Sequence, residues 1–112
     1  MTKRLGGVLW LVAALSAGFI AFFLVDPLDL AVFIGAAVLA GLLGLAIVVR
    51  PEGPWTTWSN VLGVAWFLVF GSFAILNLSL PIEQLLSVVW VWAWGVAGAV
   101  VVYRRGALVA SA

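Results

Sequence analysis

The charged residues of this chain, five Lys or Arg and four Asp or Glu among 112 residues, are confined to five short clusters. Lys3-Arg4 comes first, then Asp26 with Asp29, Arg50 with Glu52, Glu83 alone, and finally Arg104-Arg105. Between them lie four apolar runs, at about 6–25, 28–49, 55–78 and 81–103. Each approaches or exceeds the ~20 residues that an α-helix needs to cross a hydrocarbon core of ~30 Å. With 67% of its residues hydrophobic and 8% charged, the chain has too little polar surface for a water-soluble domain, where about a quarter of residues carry charge. The expected fold is an all-α integral membrane protein with four transmembrane helices in one domain, residues 1–112. The basic start and the first run also have the order of a secretion signal, but the run is longer than the roughly 7–15 residues of a signal core.

The breaks between runs are built for turning. Asp26 is placed to cap a helix, with Pro27 at its first position and Asp29 in its first turn, where a carboxylate meets the positive end of the helix dipole. Pro81 and Glu83 repeat that chemistry before the fourth run. The centre, from Arg50 to Asn60, is the longest polar interruption. Its Pro51, Gly53 and Pro54 break helices. Trp55 and Trp58 flank Thr56 and Thr57, a composition suited to the headgroup zone. Residues 106–112 read as a short frayed tail.

The halves on either side of this centre align. With one residue inserted at the turn, Gly18 matches Gly71, Pro27 matches Pro81, Asp29 matches Glu83, Gly41 and Gly44 match Gly95 and Gly98, and Arg50 matches Arg104. The expectation is a duplicated helical hairpin, with units at about 8–50 and 61–104. Each unit has two spans, so both copies thread the membrane in the same direction, as a parallel repeat.

Small residues mark the expected packing faces. Ala13, Ala17 and Ala21 recur every fourth position in the first helix. Ala37, Gly41 and Gly44 form a stripe in the second, and Gly95, Gly98 and Ala99 its counterpart in the fourth. Such faces let backbones approach closely where lipid offers no hydrophobic contrast between helices. Among the seven tryptophans, Trp10, Trp55, Trp58 and Trp90 fall near helix ends and suit an interfacial belt, while Trp66, Trp92 and Trp94 fall deeper.

Chemistry is restricted by what is missing. The sequence contains no Cys and no His. That removes thiolate nucleophiles, the usual haem ligand and the commonest general base. No acid falls inside a run. Asp26, Asp29 and Glu83 read as helix caps, and Asn77 is the one strongly polar side chain placed for an intramembrane contact. Ser16, Ser72 and Ser87 have no base nearby and are expected to return their hydroxyls to their own helices. No catalytic, cofactor-binding or metal site is expected, and nothing suggests nucleic acid as a partner.

In length and number of spans the chain resembles the small multidrug-resistance transporters, but the Glu that those carry within the first helix has no counterpart here. Its tryptophan-rich hairpins loosely resemble the SPW-repeat membrane proteins, with Gly53-Pro54-Trp55 where those have Ser-Pro-Trp. No residue role is carried over from either.

Charge sorting sets the expected orientation. In a four-span arrangement Lys3, Arg4, Arg50, Arg104 and Arg105 share one side with Glu52, a balance of +4 (five less one), and Asp26, Asp29 and Glu83 leave −3 on the other. Positive loops face the cytoplasm, so both termini are expected there, in a prokaryotic plasma membrane. The expected function is non-enzymatic: a structural or accessory subunit, self-associating or joined to a larger membrane complex, with lipid around it. The alternatives are a small transporter or channel for an apolar or weakly polar solute, and a lipid- or quinone-binding module.

Overall fold

The computed structural model describes residues 2–23, 25–50, 54–76, 78–79 and 81–111, with side chains described for those of 4–104. Asn77, Glu52 and Gly53, and the side chains of Lys3 and Arg105, lie outside the described residues. The described residues form four helices: α1 (Thr2–Ala21), α2 (Pro27–Val49), α3 (Trp55–Leu76) and α4 (Ile82–Ser111). All four are long and apolar enough to cross a membrane.

Three helix ends depart from the sequence expectation. The first helix stops at Ala21 rather than about residue 25. Phe22 and Phe23 donate to Phe19 and Ile20 three residues back, at 3.3 and 2.9 Å, so the helix tightens as it ends. The residue before a proline is pushed out of helical geometry, and Asp26 is accordingly extended, with φ −67° and ψ 125°. The third helix ends at Leu76, ahead of a turn at Leu78–Ser79. The fourth does not end at residue 103 but continues through Gly106 to Ser111. No proline interrupts that stretch, and a single helical glycine costs only about 1 kcal/mol against alanine.

The starts follow local chemistry. The Asp26 carboxylate accepts from the Leu28 and Asp29 backbone N–H groups at 2.8 and 3.4 Å, with Pro27 at the first helical position. In α4 the Pro81 carbonyl accepts from Gln84 and Leu85 at 3.0 and 3.1 Å, and Glu83 lies in the first turn.

Buried positions repeat with alternating steps of three and four. In α3 they are Ser59, Gly63, Trp66 and Phe70. In α4 they are Val88, Val91, Gly95, Gly98 and Val102. A stripe of period 3.5 keeps one face of a helix against its neighbours along its length. The four helices close into an up-down-up-down ring about 47 Å long and 22 by 19 Å across. α1 packs closely on α2 and α4, and α4 on α3; the α2–α3 seam is thinner. The reason lies in the side chains at each seam. Gly7 meets Gly44 between α1 and α2, and Gly63 meets Ala99 between α3 and α4. Between α2 and α3 stand phenyl rings instead: Phe33 packs edge-on against Phe70 and Phe73, with centroids 5.0 and 5.7 Å apart. Rings hold the two backbones apart where glycines would draw them together.

Candidate functional site

The most constrained part of the molecule is the centre of the bundle. Trp10 of α1 and Trp66 of α3 are both buried, and their rings meet at 82° with centroids 5.5 Å apart. Trp66 also leans on Phe70 at 4.8 Å, and Phe70 on Phe33, so aromatic contact crosses from α1 through α3 to α2.

Each buried indole needs a partner for its N–H, since an unpaired donor in a dry interior costs about 1–3 kcal/mol. Trp10 Nε1 donates to the Ser59 hydroxyl at 2.9 Å, a buried bond between diagonal helices. Trp66 Nε1 donates to the Val91 carbonyl at 2.9 Å, on α4. Trp92, half-buried, returns its N–H from α4 to the Phe67 carbonyl at 3.2 Å. Among the described residues no buried side-chain nitrogen or oxygen lacks a partner.

These indoles need holes, and α4 supplies them. Gly95 lies directly under the Trp66 indole; a Cβ there would overlap Nε1 and Cδ1. Gly98 faces Trp10, and a Cβ would stand 3.2 Å from its Cγ and Cδ1. The equivalent pair in α2 does different work. At Gly44 a Cβ would press on the Gly7 carbonyl at 2.7 Å and the Leu11 nitrogen at 2.8 Å, so this glycine sets a close backbone crossing. Gly41 is looser, since a Cβ would reach only the Ala14 methyl, at an ordinary 3.6 Å. Ala13, Ala17 and Ala21 are buried in α1, Ala37 and Ala99 are half-buried, and Ala99 fills the hollow at Gly63.

The belt reading of Trp10 is corrected: the ring is fully buried. It shares a face with Ala13 and Ala17, three and seven residues on, and that face points inward. Trp58 and Trp90 are exposed, and Trp55 is half-buried with its N–H on the Arg50 carbonyl at 2.6 Å. Ser59, Gly6, Gly7 and Gly63 were not among the residues singled out in the sequence. The spacing Ser59, Gly63, Trp66, Phe70 is the pattern that marks the two in α3: two small residues and two large ones on one heptad face. Ser87 Oγ donates to the Glu83 carbonyl one turn back, at 3.0 Å.

The ends of the bundle differ in charge. Arg4 Nε donates to the Val48 carbonyl at 3.2 Å, joining the start of α1 to the end of α2. Arg50 and Arg104 are exposed. Asp29 and Glu83 border a cavity at the other end. Among the described residues no three of His, Cys, Asp and Glu come together as a metal site would require.

Compared with known proteins, the chain matches no family model, no curated protein and no solved structure.

Proposed function

We propose that this chain is an integral membrane protein of two parallel hairpin repeats, without catalysis of its own, that serves as a structural or accessory subunit in the bilayer. The observation that carries this reading is the filled axis. Trp10 and Trp66 occupy the middle of the ring, and both indole N–H groups are spent on partners inside the chain. A solute path along the axis would have to displace the two largest buried side chains and break both bonds. The outer surface is apolar, with Leu15, Phe19, Leu42, Leu45, Val64 and Leu68 among many exposed side chains. Lipid or an apolar subunit surface is the environment that suits it.

The repeat is supported by the inward faces. The register that pairs Gly18 with Gly71 is a shift of 53 (71 − 18). Applied to Gly6, Trp10, Ala13, Ala17 and Ala21, buried in α1, it lands on Ser59, Gly63, Trp66, Phe70 and Ala74, which are buried or half-buried in α3. Large residues of one helix fall opposite small ones of the other in this register: Trp10 aligns with Gly63, and Ala13 with Trp66. Gly7 and Ala14 fit less well, landing on half-buried Asn60 and exposed Phe67.

The charge-poor spans and sorted ends support a membrane orientation with the basic end in the cytoplasm. Single cysteines at Thr2, Leu28 and Gly53, probed on intact cells with a membrane-impermeant thiol reagent, should label only at Leu28. Labelling at Thr2 or Gly53 without Leu28 reverses the orientation.

Reconstitution into liposomes tests the function. Under an imposed pH or sodium gradient the purified protein should show no saturable solute uptake above empty liposomes. Gradient-driven uptake abolished by Asp29→Asn with Glu83→Gln would replace this reading with that of a transporter.

A further inference from the structure

At the basic end of the bundle two helix seams differ. Between α1 and α2 the backbones cross closely at Gly7 and Gly44, and Arg4 is bonded to the Val48 carbonyl. Between α3 and α4 a groove of about 440 Å³ lies over the contact of Gly63 with Ala99. The two smallest residues of the seam form its floor, and larger side chains rise on either side.

Its walls change character in the same direction on both helices. On α3, Thr56, Asn60, Val64 and Leu68 recur every fourth residue and so share a face. On α4, Arg104, Val100 and Val96 do the same, with Tyr103 beside them. From Asn60 and Tyr103 inward the lining is apolar. Thr56 and Arg104 stand one turn above it, at the mouth. Asn60 and Leu68 are eight helical residues apart, so the groove descends about 12 Å, most of one leaflet's share of a ~30 Å core. Among the described residues none pairs with the Asn60 amide, the Tyr103 hydroxyl or the Arg104 guanidinium.

We propose that this groove holds a phospholipid with an anionic head, its phosphate against Arg104, Asn60 and Tyr103 and one acyl chain laid along the α3–α4 seam. All three side chains can donate hydrogen bonds, and phosphate oxygens accept them. The described acids, Asp26, Asp29 and Glu83, stand at the opposite end of the bundle. Polar residues at helix ends are expected of any span, but they do not account for a groove that runs from unpaired donors to mid-bilayer depth. A second copy threaded in the same direction would bring its own basic end against Arg104, so charge favours the lipid. The site rests on the bilayer placement of the helices and is independent of the accessory role.

Native mass spectrometry of the full chain released from an uncharged detergent tests the proposal by counting adducts. The probes are phosphatidylglycerol and phosphatidylcholine with identical acyl chains, and glycerol phosphate as the head alone. Phosphatidylglycerol should bind saturably, one per chain, at least about fivefold more tightly than either of the others. Arg104→Gln should remove most of that preference, whereas Arg50→Gln, at the same end of the bundle, should keep it. Val64→Trp fills the groove from an exposed wall position and should weaken phosphatidylglycerol about fivefold with Arg104 in place. Equal binding of phosphatidylcholine overturns the proposal, as does unchanged binding in Val64→Trp. Equal losses in Arg50→Gln and Arg104→Gln would mean diffuse attraction to the basic end and also overturn it. A lipid-free dimer that Val64→Trp dissociates would assign the groove to a second copy instead. If Val64→Trp is not monodisperse, the lipid series and the two arginine variants still decide. Carbonate extraction of membranes reads the bilayer placement separately: a chain that stays in the membrane but shows no lipid preference overturns this site alone.

Discussion

Gly95→Ala in α4 should lower the unfolding temperature of the detergent-solubilised protein far more than Gly35→Ala or Gly41→Ala in α2. The added Cβ would fall on Nε1, Cδ1 and Cε2 of Trp66, a rigid ring with little room to yield. That ring is held by its bond to the Val91 carbonyl and by contacts with Trp10 and Phe70. Moving it costs the bond and disturbs both contacts. Overpacking a full core costs about 1–3 kcal/mol and occasionally more, and losing a buried donor's partner adds about 1–3 kcal/mol. Gly95→Leu should fail to give a monodisperse protein. Gly35→Ala is the control, because a Cβ there meets nothing within 4 Å. It should be neutral or stabilising by up to about 1 kcal/mol, the helix preference of alanine over glycine. Gly41→Ala should fall between the two, with the Ala14 methyl at 3.6 Å. Equal thermal unfolding of Gly95→Ala and Gly35→Ala would mean that Trp66 does not occupy this hole.

Trp10→Ala should be the most damaging truncation in α1. The ring is fully buried, stacks edge-on against Trp66 and reaches across the bundle to Ser59. Removing a buried Trp from a soluble core costs about 3–5 kcal/mol, part of it transfer from water and part the cavity left behind. Helices that separate within lipid or detergent regain apolar contact, so the transfer part shrinks while the lost packing remains. The expected loss is at or below the lower end of that range. The polar part separates by a mutant cycle. Ser59→Ala strands the indole N–H, and Trp10→Phe removes the donor along with some volume. The double variant should cost less than the sum of the singles, by about 0.5–1.5 kcal/mol, the net worth of such a bond. Strict additivity in denaturant unfolding would count against the Trp10–Ser59 bond.

Both predictions rest on residues that the sequence marks unevenly. Gly95 and Gly98 stand out as a small-residue pair, yet nothing in the pair says that tryptophans fill it. Its aligned twin, Gly41 with Gly44, meets backbone and methyl groups instead. Position along the chain places Trp10 near an interface, but its neighbours Ala13 and Ala17 show that its face points inward. Ser59 looks like one more hydroxyl at the polar centre until Gly63, Trp66 and Phe70 are read on the same face. The cavity at the acidic end is half legible: its two acids are conspicuous in first turns, whereas Phe19, Phe33 and Phe73 from three helices, and Phe23 from the turn after α1, look like ordinary apolar residues of their runs.

The sequence by itself determined the number of helices, the place of each turn, and the separation of basic from acidic ends. These follow from local terms: the length of an apolar run, the caps and breakers at its ends, and the count of charges on each side. Only the tertiary structure decided which face of each helix turns inward, which tryptophans form the core, and which seam is held open by rings. The physical reason is that these helices are apolar on every side, so hydropathy does not distinguish an outward face from one that meets protein. What distinguishes them is the match of large to small across a contact, Trp66 over Gly95, Trp10 over Gly98 and Ala99 against Gly63. Such a match belongs to pairs of residues on different helices and to neither member alone.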